Sequence, residues 1–188
     1  MRVISGSARG LKLLSPEGLH TRPTTDRIKE TLFNIMQPDI YLSDFLDLFS
    51  GSGAIGIEAL SRGAEICVFV DNAASSAKII TKNIEAAHLS DKARVIKSDV
   101  FDALSDLGKT GGSFDIIFMD PPYAEGFNEP VLKKIVESGV LKPDGYIVLE
   151  RSSDVKLSYI DGLEIFREKI FKNTTLTFLK CGGIRKND

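Results

Sequence analysis

From residue 44 onward the chain alternates short apolar segments with segments of helical pattern, and this alternation is the strongest constraint on its fold. Apolar runs that predict strands cover residues 44–49, 65–71, 93–99, 114–119 and 145–150. The segments between them predict helices over 54–63, 73–88 and 128–141, with a short helical piece after residue 99. Strands that alternate with helices form a mostly parallel sheet with helices on both faces. The sequence therefore predicts an α/β fold.

Both ends of the chain depart from this alternation. Near the carboxyl terminus, two β-like segments with Asn173 between them predict a terminal antiparallel pair of strands, over 163–171 and 174–180. At the amino terminus, two short β-like pieces, 2–5 and 11–15, precede a helix. We therefore expect an amino-terminal extension, a main domain and a short disordered tail, over residues 1–40, 41–182 and 183–188.

The amino-terminal helix is predicted within residues 24–36. Thr24 or Thr25 can cap its first turn, since a threonine hydroxyl accepts a hydrogen bond from a free backbone N–H. Four apolar side chains at helical spacing predict the buried face of this helix: Ile28, Leu32, Ile35 and Met36.

A glycine-rich turn follows the first predicted strand, in the segment "DLFSGSGAIG" (47–56). Gly51, Gly53 and Gly56 have the spacing G-x-G-x-x-G, and Asp71 ends the second strand. This spacing is typical of dinucleotide-binding dehydrogenases, in which glycines let a helix amino terminus approach pyrophosphate. Tight turns that need glycine for other reasons have the same spacing. The glycines alone therefore leave the ligand open.

Three acidic residues favour one ligand over the others. Asp47, Asp71 and Asp99 stand at the ends of the first three strands, where open α/β sheets bind ligands. A carboxylate at Asp47 repels pyrophosphate and attracts a cation. The three acids suit an ammonium group, a ribose and an adenine, which together predict S-adenosylmethionine. Acids can also bind a metal, but no histidine or cysteine lies near them, and we expect none.

The segment Asp120-Pro121-Pro122-Tyr123 closes the fourth strand. Two prolines stiffen the backbone, because they fix their own φ and restrict the residue before them. The Asp120 carboxylate and the Pro121 carbonyl can accept hydrogen bonds from a planar amine, and Tyr123 can stack on a base. The alternative is a rigid loop with a core tyrosine. The first interpretation predicts methyl transfer to a base amino group.

Charge is distributed unevenly along the chain. Residues 1–36 carry six Lys/Arg against three acids, whereas the remainder carries 18 against 23. This excess is typical either of a solvated face or of an arm that contacts phosphates. Cys67 and Cys181 are the only cysteines, so no disulfide framework is expected. The sequence begins without a signal-peptide core and has no apolar stretch long enough to cross a membrane, so a cytoplasmic location is expected.

Three longer segments resemble one family: "RGLKLLSPEGLHTRPTTDRIKETLFNI", "LDLFSGSGAIGIEALSRGA" and "FDIIFMDPPY". They are similar to the bacterial RsmD family, and the similarity extends from Met1 to about Leu179. The resemblance implies a class I S-adenosylmethionine-dependent methyltransferase, with a Rossmann-like, mostly parallel seven-stranded sheet. It also implies methylation of guanine N2 in 16S ribosomal RNA. Two departures are Asp71, where Glu is usual, and "FKNTTL", where Tyr-Gly-x-Thr is commoner.

The resemblance also implies roles for individual residues. The catalytic residues are Asp120, Pro121, Pro122 and Tyr123. The residues expected to bind the donor are Asp47, Phe49, Gly51, Ser52, Gly53, Asp71, Asn72, Ser98, Asp99 and Val100. Thr24, Thr25 and Asp26 are further candidates to close over it, and the alternative for Asp26 is a place in the first turn of the helix. The residues expected to contact RNA are Arg9, Lys12, Arg22 and Arg27.

The expected substrate is 16S ribosomal RNA, either naked or in a small-subunit particle, and the expected state is a monomer that uses no metal and does not bind a membrane. Two alternatives stay open. One is an amino-methyltransferase that acts on adenine or cytosine in RNA or DNA. The other is an NAD-binding dehydrogenase.

Overall fold

The computed structural model describes residues 1–15, 26–122 and 126–182. The chain divides into two compact units, Met1–Asp99 and Val100–Asp188. The first contains α1 (Asp26–Ile40), β1 (Asp44–Leu48), α2 (Ala54–Ser61), β2 (Ile66–Asp71), α3 (Ala74–Ala86), a short 3-10 turn (Ser90–Lys92) and β3 (Ala93–Lys97). The second contains α4 (Val100–Lys109), β4 (Phe114–Met119), α5 (Asn128–Ser138), β5 (Leu141–Ser152), β6 (Leu163–Ile170) and β7 (Thr174–Cys181).

The strands of the first unit are parallel and in register. Leu48 of β1 pairs with Val70 of β2, and Asp71 pairs with Lys97 of β3, so the three strands end together. Four of the five residues of β1 are buried, as expected for a strand with both faces covered. The register therefore brings the carboxyl ends of β1, β2 and β3 to one edge, where the acids were predicted.

The second unit changes from parallel to antiparallel pairing. β4 and β5 are parallel, whereas β7 pairs antiparallel with both β5 and β6. The turn between β6 and β7 is closed by a hydrogen bond from the Phe171 N–H to the Thr174 carbonyl, 2.8 Å long. The strand order of the seven-stranded sheet is β3-β2-β1-β4-β5-β7-β6. The predicted α/β fold and its terminal antiparallel pair are confirmed, and β5 is longer than predicted.

The two predicted amino-terminal β-like pieces, 2–5 and 11–15, pair with each other. Residues 1–13 form a turn-rich hairpin with an isolated antiparallel bridge between Arg2 and Lys12. The Val3 N–H donates to the Leu11 carbonyl at 2.9 Å, and the Leu13 N–H donates to the Met1 carbonyl at 3.0 Å. We call residues 1–13 the amino-terminal hairpin. It lies within the first unit together with α1; that residues 1–40 act as a separate extension stays a prediction.

The buried face of α1 also differs from the prediction. Leu32 and Met36 are buried as expected, but Ile28 and Ile35 are only half-buried. Lys29 and Phe33 are buried as well, each 0% exposed like Leu32 and Met36. Lys29 belongs to the buried face because it pairs with a buried acid, Glu58 of α2, which the local apolar pattern does not reveal.

Some predictions fall on residues outside the described ranges. They are the helix caps Thr24 and Thr25, the RNA contact Arg22, the catalytic Tyr123 and the tail over 183–188. Within the described residues, no helix combines the length and the apolar character that crossing a bilayer requires.

Candidate active site

The glycine loop between β1 and α2, residues 49–53, has an unusual backbone. Phe49, Gly51 and Gly53 all have positive φ, at 59°, 57° and 76°. Positive φ is costly for a residue with a side chain and is concentrated at functional sites. The two glycines allow the chain to turn back sharply before α2 begins, and Gly53 is the N-cap of that helix. The backbone of this loop therefore has one particular shape, and a neighbouring acid binds its Gly51 N–H.

Asp71, at the end of β2, holds the first part of this loop. Its Oδ2 accepts the Gly51 N–H at 2.8 Å, and its Oδ1 accepts the Ala73 N–H at 2.9 Å. The side chain is half-buried, and a carboxylate has about four acceptor positions on its two oxygens. Asp71 therefore shapes the loop and keeps acceptor capacity for the hydroxyls of a ribose.

Asp47 is almost fully buried in β1, at 1% exposure. Its Oδ2 accepts the Gly56 N–H of α2 at 3.0 Å. Burial raises the pKa of Asp47 to about 7; the hydrogen bond from Gly56 lowers this pKa, and the charge of Asp71 raises it. A cation bound nearby would favour the ionised carboxylate. Asp47 thus binds a backbone N–H near the start of α2, and its ionised form would be stabilised by a positively charged ligand.

The third glycine of the motif serves packing. A Cβ on Gly56 would lie 2.3 Å from Cε1 of Phe69 and 2.6 Å from Sγ of Cys67, so α2 approaches β2 too closely for any larger residue. The glycine spacing therefore has two functions, because Gly51 and Gly53 shape the loop while Gly56 permits close contact between helix and strand. Dinucleotide-binding proteins use their glycines in the same two ways, so this motif does not by itself distinguish between the two ligands.

Ser50 is a site residue that the sequence interpretation missed. Its Oγ donates to the Asp47 carbonyl at 2.6 Å and accepts the Val70 N–H at 3.0 Å. The Ser50 N–H donates in turn to the Val70 carbonyl at 3.0 Å. Ser50 thus ties the end of β1 to the end of β2. No sequence signal distinguishes it from Ser52, because both serines flank Gly51.

The end of β3 leads to Ser98 and Asp99, which are predicted to bind the donor, Asp99 at its adenine. The Ser98 N–H donates to the Asp71 carbonyl at 3.1 Å, which extends the pairing of β2 and β3 by one step. Asp99 follows with an exposed side chain, and Asn72 at the end of β2 is also exposed. The structure therefore brings Asp47, Asp71 and Ser98 to the predicted edge of the first unit.

In the second unit, the predicted catalytic segment directly follows β4. Asp120 is half-buried, Pro121 is buried and Pro122 is exposed. Prolines have no N–H to donate, so this segment presents acceptors: the Asp120 carboxylate and the Pro121 carbonyl. Val100, predicted to bind the donor, is buried at the first position of α4.

The predicted RNA-contacting residues Arg9, Lys12 and Arg27 are exposed. Lys29, which contributes to the positive charge of this region, is not available: its Nζ lies 3.1 Å from Oε2 of Glu58, and neither side chain is exposed. Glu58 also accepts the Ile4 N–H at 2.7 Å. The hairpin that carries Arg9 and Lys12 is therefore anchored on a buried acid of α2.

The residues described show no group of three or more His, Cys, Asp or Glu placed to hold a metal ion. The arrangement found instead consists of backbone amides, carboxylates and a glycine turn at the ends of parallel strands. Such a site can bind a ligand that carries hydroxyls and a positive charge.

Comparisons with known proteins agree with this geometry. A family model described as Conserved hypothetical protein 95 matches residues 1–180. The chain is 40% identical over 184 residues to "Putative rRNA methyltransferase YlbH" of Bacillus subtilis, which covers 97% of this chain and 100% of that protein. It is 38% identical over 172 residues to Ribosomal RNA small subunit methyltransferase D of Haemophilus influenzae, which covers 90% of this chain and 88% of that protein.

Solved structures give the same result. The chain is similar to the structure described as "Putative methyltransferase yhhF from Escherichia coli", with a TM-score of 0.85, 32% identity and coverage of 96% of this chain and 97% of that one. A more distant structure is described as "Crystal structure of SMU.776, a putative methyltransferase complexed with SAH". It has a TM-score of 0.64 at 18% identity and covers 80% of this chain and 49% of that one, which shows a likeness of fold alone.

Proposed function

Because the chain belongs to the Conserved hypothetical protein 95 family, the RsmD family, we propose that it transfers a methyl group from S-adenosylmethionine to the exocyclic N2 amine of a guanine in 16S ribosomal RNA. The observation that carries the proposal is the glycine loop with its two acids. Asp47 holds the Gly56 N–H and Asp71 holds the Gly51 N–H, so two carboxylates stand where the parallel strands β1 and β2 end.

These acids fit the donor better than they fit a dinucleotide. Asp71 keeps acceptor capacity for ribose hydroxyls, which either ligand would use. The buried carboxylate of Asp47 is unfavourable beside a pyrophosphate, whereas a cationic ammonium or sulfonium group would stabilise its ionised form. Gly51, Gly53 and the exposed Asp99 complete the proposed donor site. When bound, S-adenosylmethionine supplies an electrophilic methyl group on a positively charged sulfur.

The segment after β4 is proposed to act on the acceptor base. A guanine amine is a poor nucleophile, because its lone pair is delocalised into the ring. The Asp120 carboxylate and the Pro121 carbonyl accept hydrogen bonds from its two N–H groups, which favours a pyramidal nitrogen and directs the lone pair. The methylated amine is acidic, so its proton leaves without a strong base. Tyr123 is proposed to stack on the base.

RNA is proposed as the substrate because the relatives named above are described as rRNA methyltransferases. The exposed Arg9, Lys12 and Arg27 provide cations for phosphate contacts, and Arg22 is proposed as a further one. A monomer that acts in the cytoplasm on naked RNA or on a small-subunit particle completes the proposal.

One experiment tests the reaction and the target together. The purified protein is incubated with methyl-labelled donor and either naked 16S RNA or small-subunit particles, and the RNA is digested for mass spectrometry of its nucleosides. We expect label in N2-methylguanosine with at least one substrate, and its loss in Asp120→Asn, which preserves the shape of the side chain. Label in adenosine or cytidine would assign a different target. Calorimetry that shows binding of NAD and no binding of S-adenosylmethionine would contradict methyl transfer itself.

A further inference from the structure

Asn83 of α3 is a buried polar residue, 2% exposed, whose side chain links two separate parts of the first unit. Its Oδ1 accepts the Leu14 N–H at 2.8 Å, and its Nδ2 donates to the Leu14 carbonyl at 3.0 Å. The same Nδ2 donates to the Ser52 carbonyl at 2.9 Å. One amide group therefore contacts both the glycine loop and the chain that leaves the amino-terminal hairpin.

At Leu14, the Asn83 amide binds the backbone as a neighbouring strand would. It satisfies both the N–H and the C=O of one residue. The Leu14 side chain is 54% exposed, so apolar burial contributes little to holding this residue in place. The backbone of Leu14 is therefore held mainly by the Asn83 amide.

At the glycine loop, Asn83 fixes the orientation of one peptide plane. The Ser52 carbonyl and the Gly53 N–H belong to the same peptide unit. The carbonyl is bound by Asn83, and the N–H donates to the Ser50 carbonyl at 2.7 Å. This plane is held at both ends, immediately before α2 begins. Loss of the Asn83 bond would release one of the two constraints.

We propose that Asn83 is a positioning residue that couples donor binding at the glycine loop to the ordering of the chain at Leu14; this inference rests on the proposed function. The coupling follows from the chemistry of the amide. Its NH₂ group has two hydrogens, and each is used on a different carbonyl. A rotation that breaks one bond weakens the other. Ligand binding that rigidifies the glycine loop therefore favours the bonds to Leu14, and the effect is reciprocal.

Asn83→Asp tests this coupling with little change of shape. Aspartate keeps an acceptor for the Leu14 N–H, but its second oxygen would face the carbonyls of Leu14 and Ser52. Both donations are lost, and the buried carbonyls repel the new charge. The matched control is Thr81→Ala on the exposed face of the same helix, where the hydroxyl donates to the Ala77 carbonyl at 2.9 Å.

The experiment combines calorimetry with hydrogen exchange, using S-adenosylhomocysteine as the probe. In the wild type, the probe should increase protection in the glycine loop and also in residues 11–15. In Asn83→Asp, probe affinity should fall about tenfold, from the loss of a buried hydrogen bond, and the probe should no longer protect residues 11–15. Thr81→Ala should behave as the wild type does. Circular dichroism establishes that each variant is folded.

The outcomes separate this inference from the proposed function. If the wild type binds the probe but residues 11–15 gain no protection, the coupling is wrong, and this holds even if Asn83→Asp does not fold. If a folded Asn83→Asp keeps both wild-type affinity and probe-dependent protection at 11–15, Asn83 does not carry the coupling. Absence of probe binding in the wild type would contradict the proposed function, and the inference with it.

Discussion

Replacing Glu58 by glutamine should destabilise the first unit strongly, because this buried carboxylate is a centre of several interactions. It accepts the backbone N–H groups of Ile4 and Ser5 at 2.7 and 3.0 Å. It also pairs with Nζ of Lys29 at 3.1 Å and with Nε of Arg62 at 2.8 Å. Glutamine removes the negative charge and turns one acceptor into a donor, while the two cations remain.

The magnitude follows from burial. The side chains of Lys29 and Glu58 are both 0% exposed, so the variant would leave an uncompensated buried cation. Breaking a buried ion pair in this way costs about 3–5 kcal/mol. The exposed pair of Lys92 and Glu65, 3.4 Å apart with side chains 44% and 53% exposed, is a matched control. Glu65→Gln should cost at most about 1 kcal/mol.

Urea unfolding followed by far-ultraviolet circular dichroism measures the difference, since the chain contains no tryptophan for fluorescence. The midpoint of Glu58→Gln should fall well below that of Glu65→Gln. A second substitution, Lys29→Met, should recover part of the loss, because it removes the stranded cation. If Glu58→Gln costs no more than Glu65→Gln, the buried ion pair is not what anchors the hairpin, and the reasoning fails.

Three further predictions concern the site. Asp120→Ala should reduce turnover and leave donor affinity nearly unchanged, whereas Asp71→Ala should weaken donor binding by about 1–3 kcal/mol. Calorimetry measures donor affinity and single-turnover assays measure the rate of methyl transfer. The opposite pattern would exchange the roles of the two residues. The pKa of Asp47 is raised from 3.8 to about 7, so the unfolded chain loses this proton at a lower pH than the folded protein does. The free energy of unfolding therefore falls as pH rises between these values. Asp47→Asn should therefore raise the melting temperature more at pH 8 than at pH 5, and an equal effect at both would contradict the shift. Replacing Arg9 and Lys12 together by alanine should weaken RNA binding and lower its log–log salt slope by roughly 0.7 per lost contact, with donor affinity constant; an unchanged slope would remove them from the RNA surface.

Much of the fold could be predicted from the sequence because its signals are local. Strands β1, β2 and β4 are short apolar runs, and each run specifies its own burial without reference to a distant partner. The glycines at 51 and 53 likewise indicate positive φ in their own turn, and the structure has it. The position of Asp71, at the carboxyl end of β2, was predictable from the strand boundary alone.

Other features depended on partners far apart in the chain. Lys29 is a basic residue on an amphipathic helix, and local periodicity placed it outside the apolar face. It is buried because Glu58, from another helix, provides the opposite charge there. The amino-terminal pieces are β-like in sequence, but the backbone N–H groups of Ile4 and Ser5 donate to Glu58 and not to a neighbouring strand.

The order of strands and helices, the glycine turn and the acids at strand ends were determined by the sequence itself, because each depends on neighbouring residues. The tertiary structure alone decided what several polar side chains do. The buried Asp47 accepts the Gly56 N–H. Asn83 binds both Leu14, which is 69 residues away in sequence, and Ser52, which is 31 residues away. The physical reason is that a polar side chain takes its role from the donors and acceptors that surround it once it is removed from water, and folding brings these together from distant segments.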